Sequence, residues 1–135
     1  HGTPDPATAS YAMFDYMLKA EGHPEYHVGT VEGYPEYEDA LRLLKNGKSK
    51  TLTLAPLMFV AGDHANNDMK GGVGATAEEG SWRYELAKAG YTCPLANCDI
   101  KGLGDYSKIV SVWVSHIEKK VADNDAMYDP DAEEE

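Results

Sequence analysis

Apolar positions fall in alternating blocks of helical and extended spacing. In Pro6–Ala20 they recur at Tyr11, Phe14 and Leu18, which is helical, with Pro4 and Pro6 suited to the start and Gly22 to the stop. Tyr26–Glu32 (YHVGTVE) is a short candidate strand, turned by Gly33, Tyr34 and Pro35. Tyr37–Lys45 reads as a helix with Ala40, Leu41 and Leu44 on one face, ended by Asn46-Gly47. Thr51–Ala61 (TLTLAPLMFVA) is the most apolar stretch and suits a strand buried on both faces, with a bulge or break at Pro56.

Gly62–Gly74 is loop-like. Glu78–Ala89 predicts a helix aligning Trp82, Leu86 and Ala89, stopped by Gly90. Tyr91–Ile100 holds one short strand at most, and 101–104 is a turn. Asp105 can cap a last helix to about Val121, with Ile109, Val112, Trp113 and His116 or Ile117 facing inward. The alternation predicts an α/β fold, a single Rossmann-like lobe whose mostly parallel sheet of three or four strands is flanked by helices. Because it opens with a helix, a strand is expected upstream of His1.

The 135 residues suffice for one domain. Apolar residues make up 42% and charged residues 26%, which argues against disorder over the whole length. No apolar run reaches the roughly 20 residues of a membrane helix. The net charge of −11 is uneven, since Asp123–Glu135 holds seven acids and no base. Residues 1–121 therefore read as the domain and 122–135 as an acidic, disordered tail. An acidic chain without a basic stripe argues against nucleic acid. Cys93 and Cys98 (CPLANC) are too few for a disulfide framework; free thiols are the first reading, with a local disulfide or a metal role as alternatives. Their low number favours a reducing compartment.

Ligands of open parallel sheets bind beyond the carboxyl ends of strands. Glu32 ends the second element and His64 follows the apolar strand, within VAGDHANNDM. His1 would follow the expected upstream strand. Two imidazoles and a carboxylate could hold a Co, Ni, Fe or Zn ion with positions left open. On spacing alone, His64 could equally be a hydrogen-bonded loop histidine and Glu32 a turn carboxylate. His23 and His27 read as surface residues, His116 as partly buried. Gly71, Gly72 and Gly74 lack the Gly-Lys-Ser/Thr ending of a P-loop, and no GxGxxG follows a strand, so no nucleotide is expected.

HGTPDPATASY, VGTVEGYP, PLMFVAGDHANNDM, SWRYELAKAGY and GLGDYSKIVSVWVSHI together resemble the anaerobic sirohydrochlorin cobaltochelatases, ATP-independent class II chelatases similar to ferrochelatase. The resemblance runs from His1 to about Val121. It implies two similar α/β lobes around a tetrapyrrole cleft, of which this chain resembles the second, so an N-terminal lobe is expected as a partner. It further implies Co²⁺ as the substrate ion, with Fe²⁺ or Ni²⁺ accepted by the same ligands, and sirohydrochlorin as the acceptor. His1, Glu32 and His64 match the metal and catalytic residues, with Asp63, Asn66, Asn67 and Asp68 orienting His64. The low cysteine count and the lack of a long apolar run lead to the expectation of a cytoplasmic location and no membrane partner, and a homo-oligomer is left open. Sirohydrochlorin ferrochelatase activity and a non-catalytic metal- or tetrapyrrole-binding module are the alternatives. A copper site built on the α-amine and imidazole of His1, as in polysaccharide monooxygenases, fits poorly, because those are disulfide-stapled β-sandwiches.

Overall fold

The computed structural model describes residues 1–127. Among these residues there are four α-helices: α1 (Ala9–Ala20), α2 (Tyr37–Leu44), α3 (Trp82–Lys88) and α4 (Ser107–Met127). Short 3₁₀ turns cover Pro6–Thr8, Leu95–Asn97 and Leu103–Asp105, and a π-helix covers Ala65–Met69. Each α-helix lies where the apolar spacing predicts one. The starts are fixed locally. The Asp39 carboxylate accepts from the Glu36 N–H (3.1 Å) at the start of α2, and the Ser81 hydroxyl accepts from the Tyr84 N–H at the start of α3.

The expected parallel sheet of three or four strands does not form. Among the described residues there are four isolated parallel bridges: Gly2 with Glu32, Thr30 with Glu36, Thr51 with Thr92, and Leu54 with Cys98. The Rossmann-like reading is therefore wrong for this chain, and two prolines account for much of it. Thr92 N–H donates to Lys50 O (2.7 Å) and Leu52 N–H to Thr92 O (2.8 Å), the start of a parallel ladder. The next donor would be Pro94, which has no N–H. The Asn97 side-chain amide takes its place, donating to Leu52 O at 3.0 Å, and the backbone detours through the Leu95–Asn97 turn. Leu54 N–H then donates to Asn97 O at 3.0 Å. One step further, the donor position falls on Pro56, and the pairing stops.

The apolar stretch is also buried on one side rather than two. Leu52, Leu54, Pro56 and Met58 turn inward, while Thr51, Thr53, Ala55, Leu57 and Phe59 are exposed. Leu54 joins Ala65, Met69, Leu86, Tyr91 and Cys93 in the core, with Trp82, Leu41 and Leu44 packed around it.

α4 packs chiefly on the Leu103–Asp105 turn, where Asp105 accepts from the Gly102 N–H at 2.9 Å, and through Trp113 stacked on Phe59 at 4.3 Å. Among the described side chains its apolar inner face is Ile109 and Trp113. Val112, His116 and Ile117, expected inside, are exposed. α4 runs six residues into the stretch read as a tail; the rest of that stretch, 128–135, lies outside the described residues. No helix among the described residues is long and apolar enough to cross a membrane.

Candidate metal centre

The site begins with two glycine-dependent contacts between segments thirty residues apart. The His1 carbonyl oxygen accepts from both the Val31 N–H (2.9 Å) and the Glu32 N–H (3.0 Å). This approach requires Gly2. At φ +95° it occupies the region that side chains avoid, and a Cβ there would lie 1.7 Å from Glu32 O. Gly33, at φ +99°, meets the same limit from the other side, where a Cβ would lie 2.2 Å from Thr3 O. The Thr8 hydroxyl closes the junction, donating to Tyr34 O and accepting from Tyr34 N–H, each at 2.8 Å. The buried Thr30 anchors the turn, its N–H and hydroxyl both donating to Pro35 O.

His64 arrives from a different element, at the entrance to the π-helix. Buried Ala65 and Met69 fix that helix to the core. Polar side chains brace it at spacing i,i+4: Asn67 Nδ2 donates to Asp63 (2.6 Å), Lys70 Nζ to Asn66 (2.7 Å), and His64 Nδ1 meets Asp68 Oδ2 at 2.5 Å. Asn66 Nδ2 also donates to Gly62 O at 2.9 Å. Of the four residues expected to support His64, Asp68 is the one that touches its ring. With Asp68 ionised, the proton belongs on Nδ1 and the Nε2 lone pair is left free. His1 Nδ1 lies 3.0 Å from its neighbour's carbonyl, Gly2 O, which favours the same tautomer.

The two imidazoles meet edge to face with centroids 4.3 Å apart. Glu32 is tied to His1 through the backbone; its exposed side chain has no hydrogen-bond partner among the described residues. Among those residues no three His, Cys, Asp or Glu side chains are gathered closely enough to hold an ion. The structure thus pairs His1 with His64 and holds the Glu32 backbone at His1, without bringing all three side chains together. His23 is exposed, as expected of a surface residue, 3.6 Å from Glu25, whereas His27 is half-buried and its pKa is lowered by burial and by Lys19.

A cleft of about 300 Å³ borders the Glu32 turn rather than the histidines. Tyr37, Trp82, Glu36, Glu38 and Glu85 help to line it. Burial, and then the Glu85 carboxylate, push the Tyr37 hydroxyl up to about 12. Cys93 and Cys98 are free, with sulfurs 3.8 Å apart.

Sequence reasoning passed over the π-helix and the glycine junction. ANNDM has the composition of a loop, yet the pairs 63/67, 64/68 and 66/70 were a readable sign of a helical turn.

A family model described as cobalt chelatase (CbiK) matches residues 1–122. The chain is 37% identical over 117 residues to the sirohydrochlorin cobaltochelatase of Salmonella typhimurium, a match covering 87% of this chain and 41% of that protein. It is 31% identical over 123 residues to the sirohydrochlorin cobaltochelatase CbiKC of Nitratidesulfovibrio vulgaris, covering 90% of this chain and 40% of that protein. The chain thus spans about two fifths of the length of the curated relatives it matches.

Proposed function

Since the chain belongs to the cobalt chelatase (CbiK) family, we propose that it forms the metal-delivering part of an enzyme that inserts Co²⁺ into sirohydrochlorin without ATP. The observation that carries this reading is the His1–His64 pair, two imidazoles in contact at the meeting of three segments. Insertion demands that the ion lose water and that two pyrrole nitrogens lose protons. Neutral imidazole serves both demands: it is a borderline ligand for Co²⁺, and it accepts protons near neutral pH. His64 Nε2 is the principal ligand and proton acceptor in this scheme. Asp68 stabilises the imidazolium that forms, and His1 shares the ion from the neighbouring segment. Glu32 swings in to neutralise charge on the metal. Asp63, Asn66 and Asn67 keep the His64 turn in shape. Fe²⁺ is the competing substrate on the same ligands, so the Co²⁺ to Fe²⁺ rate ratio measures which metal the site prefers.

The test is metallation of sirohydrochlorin followed by absorbance, with this chain alone and with it joined to the remaining portion of a relative's polypeptide. His64→Ala is expected to cut the rate more than tenfold while circular dichroism stays unchanged. Retention of more than a tenth of the rate, a barrier change under about 1.4 kcal/mol, would remove His64 from the centre of the mechanism.

A further inference from the structure

Arg83 lies on α3 and is only 4% exposed. Its Nη2 donates to Gly74 O at 2.7 Å, while Nη1 has no acceptor among the described residues. No carboxylate among those residues lies within ion-pair distance of it. A buried guanidinium without a counter-charge is strongly destabilising. Here it occurs in a chain of net charge −11, where carboxylates are plentiful.

Arg83 lines an open cleft of about 590 Å³ between α3, the 75–77 loop and Tyr91–Pro94. That size is ordinary for small-molecule sites. The lining includes Lys88, Tyr84 and Tyr91 and not one acidic side chain. Tyr91 is itself 4% exposed, and its hydroxyl also lacks a partner among the described residues. Lys50 Nζ sits 4.4 Å over the Tyr91 ring, so a third cation stands close by. Burial, then the neighbouring Cys98, keep the Cys93 thiol on the same wall neutral. The cleft is therefore backed by two unused hydrogen-bond donors, the buried Arg83 charge and two aromatic rings; at its rim Lys88 is paired with Glu85 at 3.2 Å.

We infer that this cleft binds a small organic oxyanion, a carboxylate or a phosphate ester, with Arg83 as its counter-charge. A guanidinium pairs with either group through two parallel N–H donors. Entry shifts the Ala75–Ala77 strip that follows the Gly74 carbonyl, so that Nη1 gains an acceptor. The Tyr91 hydroxyl donates alongside, and Lys88 at the rim exchanges its Glu85 partner for the anion. The site shares no lining residue with the histidine pair and is independent of the proposed chelatase activity.

Benzoate, citrate and inorganic phosphate are the probes, measured with the chain by titration calorimetry and thermal melting. At least one is expected to bind with a dissociation constant of about 1 mM or tighter and to raise the melting temperature. Binding of benzoate or citrate but not phosphate assigns a carboxylate; the reverse assigns a phosphate. Arg83→Met keeps the shape and removes the charge. It should abolish binding while leaving the ligand-free protein as stable or more so. Lys88→Glu, at an exposed position, should weaken binding roughly tenfold and decides the matter if Arg83→Met does not fold. No binding of any probe at about 10 mM, or affinities unchanged in both variants, would overturn the proposal.

Discussion

Gly2→Ala tests the junction that sets His1 beside Glu32. A methyl group at residue 2 begins 1.7 Å from Glu32 O, and relief to 3.0 Å requires 1.3 Å of separation. The hydrogen bonds from Val31 N–H and Glu32 N–H to His1 O, at 2.9 and 3.0 Å, would then open to beyond 4 Å. Each contributes about 1 kcal/mol. A side chain held at φ +95° adds about 1–2 kcal/mol of strain. The expected loss is about 3–4 kcal/mol, read as a shift of the urea midpoint. Gly22→Ala supplies the control, because Gly22 has φ +90° but nothing within 4 Å of its added Cβ, so it reports strain alone. The separation would also carry His1 more than 1 Å from its place, against the ~0.2 Å tolerance of a metal bond. Cobalt affinity by titration calorimetry should therefore fall in Gly2→Ala and not in Gly22→Ala. If Gly2→Ala costs no more than Gly22→Ala in stability and binds cobalt as well, the junction does not position His1.

Three further outcomes follow from the geometry. Asp68→Ala should weaken cobalt binding by about 10–100-fold with an unchanged circular dichroism spectrum, because the ring loses the acceptor that fixes its tautomer. Asn97→Ala should cost about 1–3 kcal/mol in urea unfolding, since Leu52 O loses the donor that stands in for Pro94. Alkaline pH should destabilise the fold. Cys93 and Tyr37 are raised from 9.0 and 10.0 to about 12, so the folded chain holds protons that the unfolded chain releases first. Their contribution is complete below pH 9 and is lost as pH climbs towards 12, and Cys93→Ala with Tyr37→Phe should flatten that fall in urea midpoint.

The helices were legible because their evidence is local. Tyr11, Phe14 and Leu18 keep helical spacing, and Gly22, Asn46-Gly47 and Gly90 mark the stops. The sheet was misread because pairing depends on which donor meets which acceptor across forty residues. Pro56 is visible within the apolar run, but that Pro94 falls at a donor position opposite Leu52 is invisible until the segments are aligned. The Thr-Leu-Thr-Leu alternation did announce a strand with one buried face, and the apolar run after it masked that signal. In the sequence His1, Glu32 and His64 read as strand ends. The structure instead holds them at a glycine junction and a π-helix, and unites only the two imidazoles. The missing half-turn of evidence was the polar i,i+4 pairing across 63–70.

The π-helix also makes the site sensitive to length. Lys70 N–H reaches Ala65 O, five residues back, so this turn holds one residue more than an α-helix would. Deleting one residue among Asn66, Asn67 and Asp68 would let it relax to ordinary α geometry. Buried Met69 would keep its place in the core, and everything before the deletion would turn by about 100° around the helix axis. His64 would leave His1 although both histidines remained in the sequence. Among descendants of such a chain, a single lost codon here would silence the pair while every substitution-based comparison still counted its ligands as present.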